Sequence, residues 1–196
     1  MINFFKKNFS PRLILNLFIE FGPILIFFVI FDLFDFLTAT IALVGVVIVA
    51  FLLSVYVEGR IAVFSIFASG SIVLFGGVSI FLSNPDYLIF KDTLFWGLFG
   101  LIILGYHLKK ILILKRLFIN IFDITDEGWR KVTLRWMIFS FMLALSNQIV
   151  LWYFTPEQWV IYKMIILAVL AIFSVWQFQL ARKERNSEAS PWGMRL

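Results

Sequence analysis

The chain has 196 residues, of which 62% are hydrophobic and 15% charged, whereas soluble domains average about 45–50% and about 25%. One domain of this size cannot hide 25 Phe and 7 Trp residues from water, so the composition excludes a soluble globular protein. The net charge is +5, and there is no cysteine, which excludes disulfides and thiolate metal sites.

Six apolar runs are each long enough to cross a bilayer, whose hydrocarbon core of about 30 Å needs about 20 helical residues. They cover residues 12–31, 37–57, 61–82, 92–108, 131–153 and 158–181. Strands of a β-barrel would be shorter and would alternate apolar and polar residues. We therefore predict an all-α, polytopic transmembrane helix bundle as a single domain over residues 1–183, followed by a polar cytoplasmic tail, residues 184–196, expected to be disordered.

The first run contains a possible break. Glu20 is followed by Gly22 and Pro23, the two residue types that most disturb a helix. This pair could divide the run into an interfacial helix and a short re-entrant segment, which would leave five spans. The basic N-terminal tail favours six. We expect no cleavable signal peptide, because the run is long and lacks a small-residue cleavage pattern.

Lys and Arg divide unequally between the two sides of a six-span bundle. All seventeen fall on the side of the termini except Lys91 and Lys163. Because positively charged loops stay in the cytoplasm, we predict that both termini are cytoplasmic.

The longest connection, residues 109–130, has the polar period of a helix. Its polar positions recur at steps of three, four and seven and form one stripe: Lys109, Arg116, Asn120, Asp123 and Glu127. This pattern predicts a basic amphipathic helix in the cytoplasmic headgroup layer. Alternatively, its first turns extend the fourth span.

Polar residues within the runs are candidates for function. Intramembrane charges mark functional sites or buried pairs, and we expect Glu20 to pair with Arg135, which begins the fifth span on the same side. Glu20 could instead be protonated and unpaired, or interfacial. Asn147 is expected to form a hydrogen bond between helices, and Lys163 is expected to snorkel outward.

Catalytic patterns are scarce. His107 is the single histidine, and one imidazole cannot form a His-cluster metal site. There is no nucleophile elbow and no phosphate-binding glycine loop. Gly76 and Gly77 are expected to permit close helix packing. We therefore expect no enzymatic activity, no cofactor and no metal.

Five stretches follow one another over roughly residues 17–180: FIEFGPILIFF, DFLTATIALVG, VLFGGVSIFLSNPDYLIFKDT, GWRKVTLRWMIFSFMLALSN and EQWVIYK. In their order and spacing they resemble the intracellular septation protein A family, inner membrane-spanning proteins of Gram-negative bacteria. With the polar residues above, they give the candidate site residues: Glu20, Pro23, Asp35, Thr40, Gly76, Gly77, Lys91, Trp129, Arg135, Asn147 and Lys163.

The sequence also departs from that family. Gln148 stands where an acid is common, residues 89–93 retain one lysine and lose a proline, and Ile165 and Ile166 replace a common glycine.

The resemblance implies a non-enzymatic inner-membrane protein with a role in envelope biogenesis, envelope integrity and cell division. Its implied partners are membrane lipids and the division and elongation proteins, with no nucleic acid; no oligomeric state is predicted. The residues leave open a small transporter or lipid-handling protein. That alternative predicts a polar cavity at the midplane, lined by Glu20, Arg135 and Asn147.

Overall fold

The structure is a computed structural model that describes residues 11–58, 63–186, 190 and 193–194, and the side chains of these apart from 11–21, 57–58 and 63–65. Within that part of the chain there are seven helices: α1 (Pro11–Leu33), α2 (Phe36–Glu58), α3 (Val63–Phe81), α4 (Asp86–Leu108), α5 (Ile113–Phe118), α6 (Asp126–Tyr153) and α7 (Pro156–Lys183). All but the short α5 lie over the six predicted apolar runs. The prediction of an all-α membrane helix bundle is confirmed.

Four of the long helices have the length and hydropathy of a membrane span over the described residues: Phe36–Tyr56, Asp86–Leu108, Asp126–Tyr153 and Pro156–Lys183. The described parts of α1 and α3 contribute shorter apolar helices, Gly22–Leu33 and Ile66–Phe81. Helix α1 continues without interruption through Pro23 for 23 residues. The first run is therefore one helix, as the six-span interpretation requires, and the predicted break at Gly22 and Pro23 is not observed.

Contacts divide the chain into two compact units, residues 1–91 and 92–196. The predicted division into a membrane domain and a tail at residue 183 remains a prediction.

In the first unit, α2 packs against both α1 and α3. The turn between α1 and α2 is closed by Asp35, whose carboxylate accepts hydrogen bonds from the backbone N–H of Thr38 at 3.0 Å and from its hydroxyl at 2.7 Å. Phe36 then packs edge to face on Phe27, with ring centroids 5.7 Å apart. The cap and the aromatic contact together fix where α2 begins.

In the second unit, α6 and α7 begin at sequence signals for helix N-termini. The hydroxyl of Thr125 accepts the backbone N–H of Gly128 at 3.0 Å, and Thr155 and Gln158 form a capping box with Pro156 in the first turn. The two helices are antiparallel and stack through Phe139 and Phe173, whose ring centroids are 3.8 Å apart. This contact and Leu143 form the buried centre of the helix pair.

The connection before α6 differs from its prediction. Its helix, α5, covers six residues, so the prediction of one amphipathic helix through residues 109–130 is wrong in extent. Helix α4 ends because Lys110 adopts a left-handed φ of 57° and the N–H of Ile111 donates to the carbonyl of Tyr106 at 2.9 Å. The alternative that α4 extends through the first turns is therefore also wrong.

The tail after α7 folds back on this connection. The N–H of Thr125 donates to the carbonyl of Glu184 at 2.8 Å, and the N–H of Asp123 donates to the carbonyl of Gly193 at 2.9 Å. Antiparallel bridges join Phe122 to Met194 and Ile124 to Arg185. The expectation of a disordered tail is therefore wrong for residues 184–186, 190 and 193–194.

The fold-back has a physical cause in the apolar residues of the connection. Ile124 and Leu114 are buried with Ile103, Trp129 and Ala181 in one cluster. The extended connection places Ile124 inside this cluster.

Candidate functional site

A polar network lies at the α6–α7 turn end of the second unit; we define it as Asp92, Thr93, Asn147, Trp159 and Lys163. Asn147 is at its centre and is 2% exposed. Its amide nitrogen donates to the hydroxyl of Thr93 at 2.9 Å, and its amide oxygen accepts the indole N–H of Trp159 at 3.0 Å. One side chain therefore joins α4, α6 and α7.

An ion pair adjoins the amide. The ammonium of Lys163 lies 2.6 Å from a carboxylate oxygen of Asp92, and the two side chains are 27% and 10% exposed. Lys163 follows Trp159 by one helical turn, and its ammonium lies 5.5 Å from the centroid of the Trp159 ring. Removing either charge of such a partly buried pair would leave the other without compensation and would destabilise the protein.

A further hydrogen bond joins α6 and α7 in the same region. The hydroxyls of Ser146 and Tyr162 lie 2.7 Å apart. Each of these two residues neighbours a member of the network along its own helix, so the hydrogen bonds belong to one layer of the bundle.

The sequence predicted part of this network. The expectation that Asn147 bonds between helices agrees with its geometry. The outward snorkelling of Lys163 stays a prediction, and its ion pair with Asp92 was not predicted. The one-turn spacing of Trp159 and Lys163 was the available signal that both face the same neighbour.

The family comparison covers this whole arrangement. The model of the family described as intracellular septation protein A matches residues 15–188. The chain belongs to the intracellular septation protein A family. The matched range includes every helix that contributes to the polar network.

Curated relatives in this family carry the name inner membrane-spanning protein YciB. The relative from Afipia carboxidovorans is 28% identical over 182 residues, covering 92% of this chain and 90% of its own. The relative from Brucella melitensis biotype 1 is 29% identical over 186 residues, with coverage of 87% and 93%. The relative from Agrobacterium fabrum is 41% identical over 96 residues, 48% of this chain and 47% of its own. No solved structure matches the chain.

These names and the apolar helices make the chain a multi-pass inner-membrane protein. The family name associates it with septation.

The other candidate residues lie outside the polar network, and most of them have contacts that stabilise the fold. Trp129 is 3% exposed and lies in the cluster with Ile103 and Ala181. The hydroxyl of Thr40 donates to the carbonyl of Phe36 within its own helix at 2.8 Å. Backbone and side-chain hydrogen bonds from Thr38 hold the pKa of Asp35 below its ordinary value. Lys91 is half-buried beside the network residue Asp92 in sequence.

The two glycines at 76 and 77 differ. A Cβ added at Gly76 would lie 2.6 Å from a methyl group of Val44, whereas one added at Gly77 would meet nothing within 4 Å. Close packing of α2 and α3 therefore depends on Gly76.

Arg135 lies apart from the polar network. Its guanidinium carbon is 3.7 Å from the ring centroid of Trp176. Arg135 and Asn147 are twelve residues apart on α6, about 18 Å at about 1.5 Å per residue. The two side chains therefore do not line one midplane cavity together. The side chain of Glu20 lies outside the described residues, so its pairing with Arg135 remains a prediction.

The described residues include no group of three or more His, Cys, Asp or Glu side chains placed to hold a metal ion. A cavity of about 330 Å³ lies beside the folded-back tail, and its lining includes Lys115, Asp126, Asp123 and Asn186. Lys115 pairs with Asp126, and Asn186 donates to Asp123. These polar groups bind one another and hold the connection.

Proposed function

We propose that this protein is a non-enzymatic scaffold of the cell-envelope and division machinery, with both termini in the cytoplasm. The observation that carries the proposal is the use of the network's polar groups. Asn147 on α6 forms hydrogen bonds with Thr93 on α4 and Trp159 on α7, and the Asp92–Lys163 ion pair joins α4 to α7. Polar contacts of this kind between helices hold a membrane bundle in one shape. A fixed shape suits a protein that presents surfaces to partners.

The family name adds independent support. It refers to septation, and the curated relatives are named for spanning the inner membrane. Division and elongation proteins in the same membrane are the partners we propose.

A small transporter or lipid-handling protein is the second candidate. Its support is the presence of Arg135, Asp92 and Lys163 within spanning helices, since such charges are rare away from transport paths. Against it, the pair of Asp92 and Lys163 and the side chain of Arg135 lie in different layers of the bundle.

Site-specific photocrosslinking in growing cells tests the scaffold. A photoreactive amino acid at Phe154 probes one end of the second unit, and one at Leu117 probes the other; these side chains are 51% and 60% exposed. We expect adducts with division or elongation proteins from at least one end. Met142, 61% exposed within α6, is the matched lipid-facing control.

Two outcomes would contradict the scaffold. One is adducts with lipid or with a second copy only, from every position. The other is solute or lipid movement by the purified protein in liposomes. Orientation is tested separately: reporter fusions at residues 2 and 185 should both report cytoplasm, because the Lys and Arg bias predicts it.

A further inference from the structure

Arg135 is a cation near one membrane boundary for which the described residues supply no compensating carboxylate. It is the last charged residue before an uncharged run of residues 136–156. Lys131, one turn earlier, is held by Glu184 at 2.6 Å. No carboxylate of the described residues lies within ion-pairing distance of Arg135, and its buried Nη1 has no hydrogen-bond partner among them. A partly buried guanidinium is energetically costly unless an anion is bound to it.

Arg135 contacts an aromatic side chain that is open to the surroundings of the protein. The guanidinium carbon lies 3.7 Å from the ring centroid of Trp176, which is 47% exposed. Arg135 as a whole is half-buried, so its side chain is not enclosed within the bundle. Arginine at such a depth places its charge at the headgroup level, and tryptophan prefers that same level.

Apolar side chains continue from this point toward the centre of the membrane. On α6, Ile138 and Met142 follow Arg135 by one and two turns and are 49% and 61% exposed. On α7, Ile172 precedes Trp176 by one turn and is 70% exposed. The stripe thus has a cation at one end and exposed hydrocarbon along the rest.

We propose that Arg135 and Trp176 bind the phosphate of an anionic phospholipid, with an acyl chain along Ile138, Met142 and Ile172. A guanidinium binds phosphate oxygens through paired N–H donors. In the predicted orientation this end faces the cytoplasm, where basic sites between helices bind lipid headgroups. The proposal does not depend on the scaffold function.

The test measures lipid binding to purified full-length protein in detergent by native mass spectrometry. The probes are phosphatidylglycerol and phosphatidylcholine with the same acyl chains. Wild-type protein should bind phosphatidylglycerol more tightly. Arg135→Gln should weaken that binding about tenfold, as the loss of a charge-assisted contact does, and Arg135→Lys should be intermediate because it keeps the charge and loses the paired donors.

Arg130→Gln is the matched control. Arg130 lies on the same helix and has a side chain 67% exposed. It should leave phosphatidylglycerol binding within about twofold, since an exposed charge interacts weakly with its surroundings. Should Arg135→Gln fail to fold, Trp176→Leu alters a half-exposed residue and should still weaken binding several-fold.

Several results would overturn the proposal. They are equal loss in the Arg130 and Arg135 variants, no preference of the wild type for phosphatidylglycerol, and displacement of the lipid by millimolar inorganic phosphate. A further contrary result is tighter phosphatidylglycerol binding in Glu20→Leu. It would show that a carboxylate of the chain already neutralises Arg135.

Discussion

The indole N–H of Trp159 donates to the amide oxygen of Asn147 across 3.0 Å, and the same amide donates to Thr93 across 2.9 Å. Asn147 thus donates to one helix and accepts from another. Because it is almost fully buried, no solvent replaces either bond when it is changed.

Asn147→Leu should lower the free energy of unfolding by about 1–3 kcal/mol, because it leaves a buried indole N–H without its partner. Unfolding in mixed micelles of sodium dodecyl sulfate and dodecyl maltoside measures this. Gln148→Leu is the control: the neighbouring amide makes no side-chain hydrogen bond within the described part of the chain, and its loss should change stability by less than about 0.5 kcal/mol. Equal effects of the two changes would contradict the structural role of Asn147.

The Asp92–Lys163 pair should respond unequally to loss of either partner. Lys163→Leu leaves a carboxylate that is 10% exposed, whereas Asp92→Leu leaves a lysine that is 27% exposed and closer to water. We expect Lys163→Leu to cost about 1.5–3 kcal/mol and Asp92→Leu to cost less. In the double variant neither charge remains without its partner, so its loss should be smaller than the sum of the single losses. Additive losses in the same unfolding assay would contradict the pair.

The sequence contained enough to predict the helices but not the connections. Apolar runs of about 20 residues have one solution in a bilayer, which is a helix that satisfies its own backbone. The connection before α6 has no such constraint. Its polar period suited a helix, yet the burial of Ile124 and hydrogen bonds to Glu184 and Gly193 stabilise an extended path. Contacts with a segment 60 residues later cannot be read from local period.

The polar network was partly predictable for the same reason. An amide in a span predicts a bond between helices, and Asn147 forms one. Which residue it bonds depends on how the helices rotate against each other. Lys163 illustrates this point, since snorkelling is the default for a lysine near a boundary, but a carboxylate on α4 lies within reach.

The fold-back of the tail should depend on pH through Glu184. A hydrogen bond from Lys131 holds the pKa of Glu184 below its ordinary value of 4.5. The unfolded tail therefore binds a proton more readily than the folded one. The stabilisation is present above pH 4.5 and is lost as the pH falls through the lower, folded-state pKa.

A spin label on a cysteine introduced at Met194 measures the release of the tail from the connection. The chain has no cysteine of its own to compete for the label. In wild-type protein the label should become mobile as the pH is lowered below about 4.5, the unperturbed carboxyl range. Glu184→Gln should remove that pH dependence and raise mobility at neutral pH. Asp86→Asn, at the start of α4, should preserve the wild-type profile. A label equally mobile at pH 7 and pH 3 in the wild type would contradict stabilisation of the folded-back tail by Glu184.

The neighbouring glycines of α3 provide a matched pair for testing the packing of α2 on α3. Alanine at position 77 meets no atom within 4 Å, so Gly77→Ala should be neutral or stabilise the protein by up to about 1 kcal/mol through helix propensity. Alanine at position 76 would place its methyl 2.6 Å from a methyl of Val44. Valine has one preferred rotamer in a helix and cannot easily turn away. Gly76→Ala should therefore cost about 1–3 kcal/mol as overpacking.

Val44→Ala removes the opposing methyl groups, so combining it with Gly76→Ala should recover much of the loss. Thermal unfolding in detergent measures all four variants, and equal stability of the two single glycine variants would show that α2 and α3 are not in close contact at position 76.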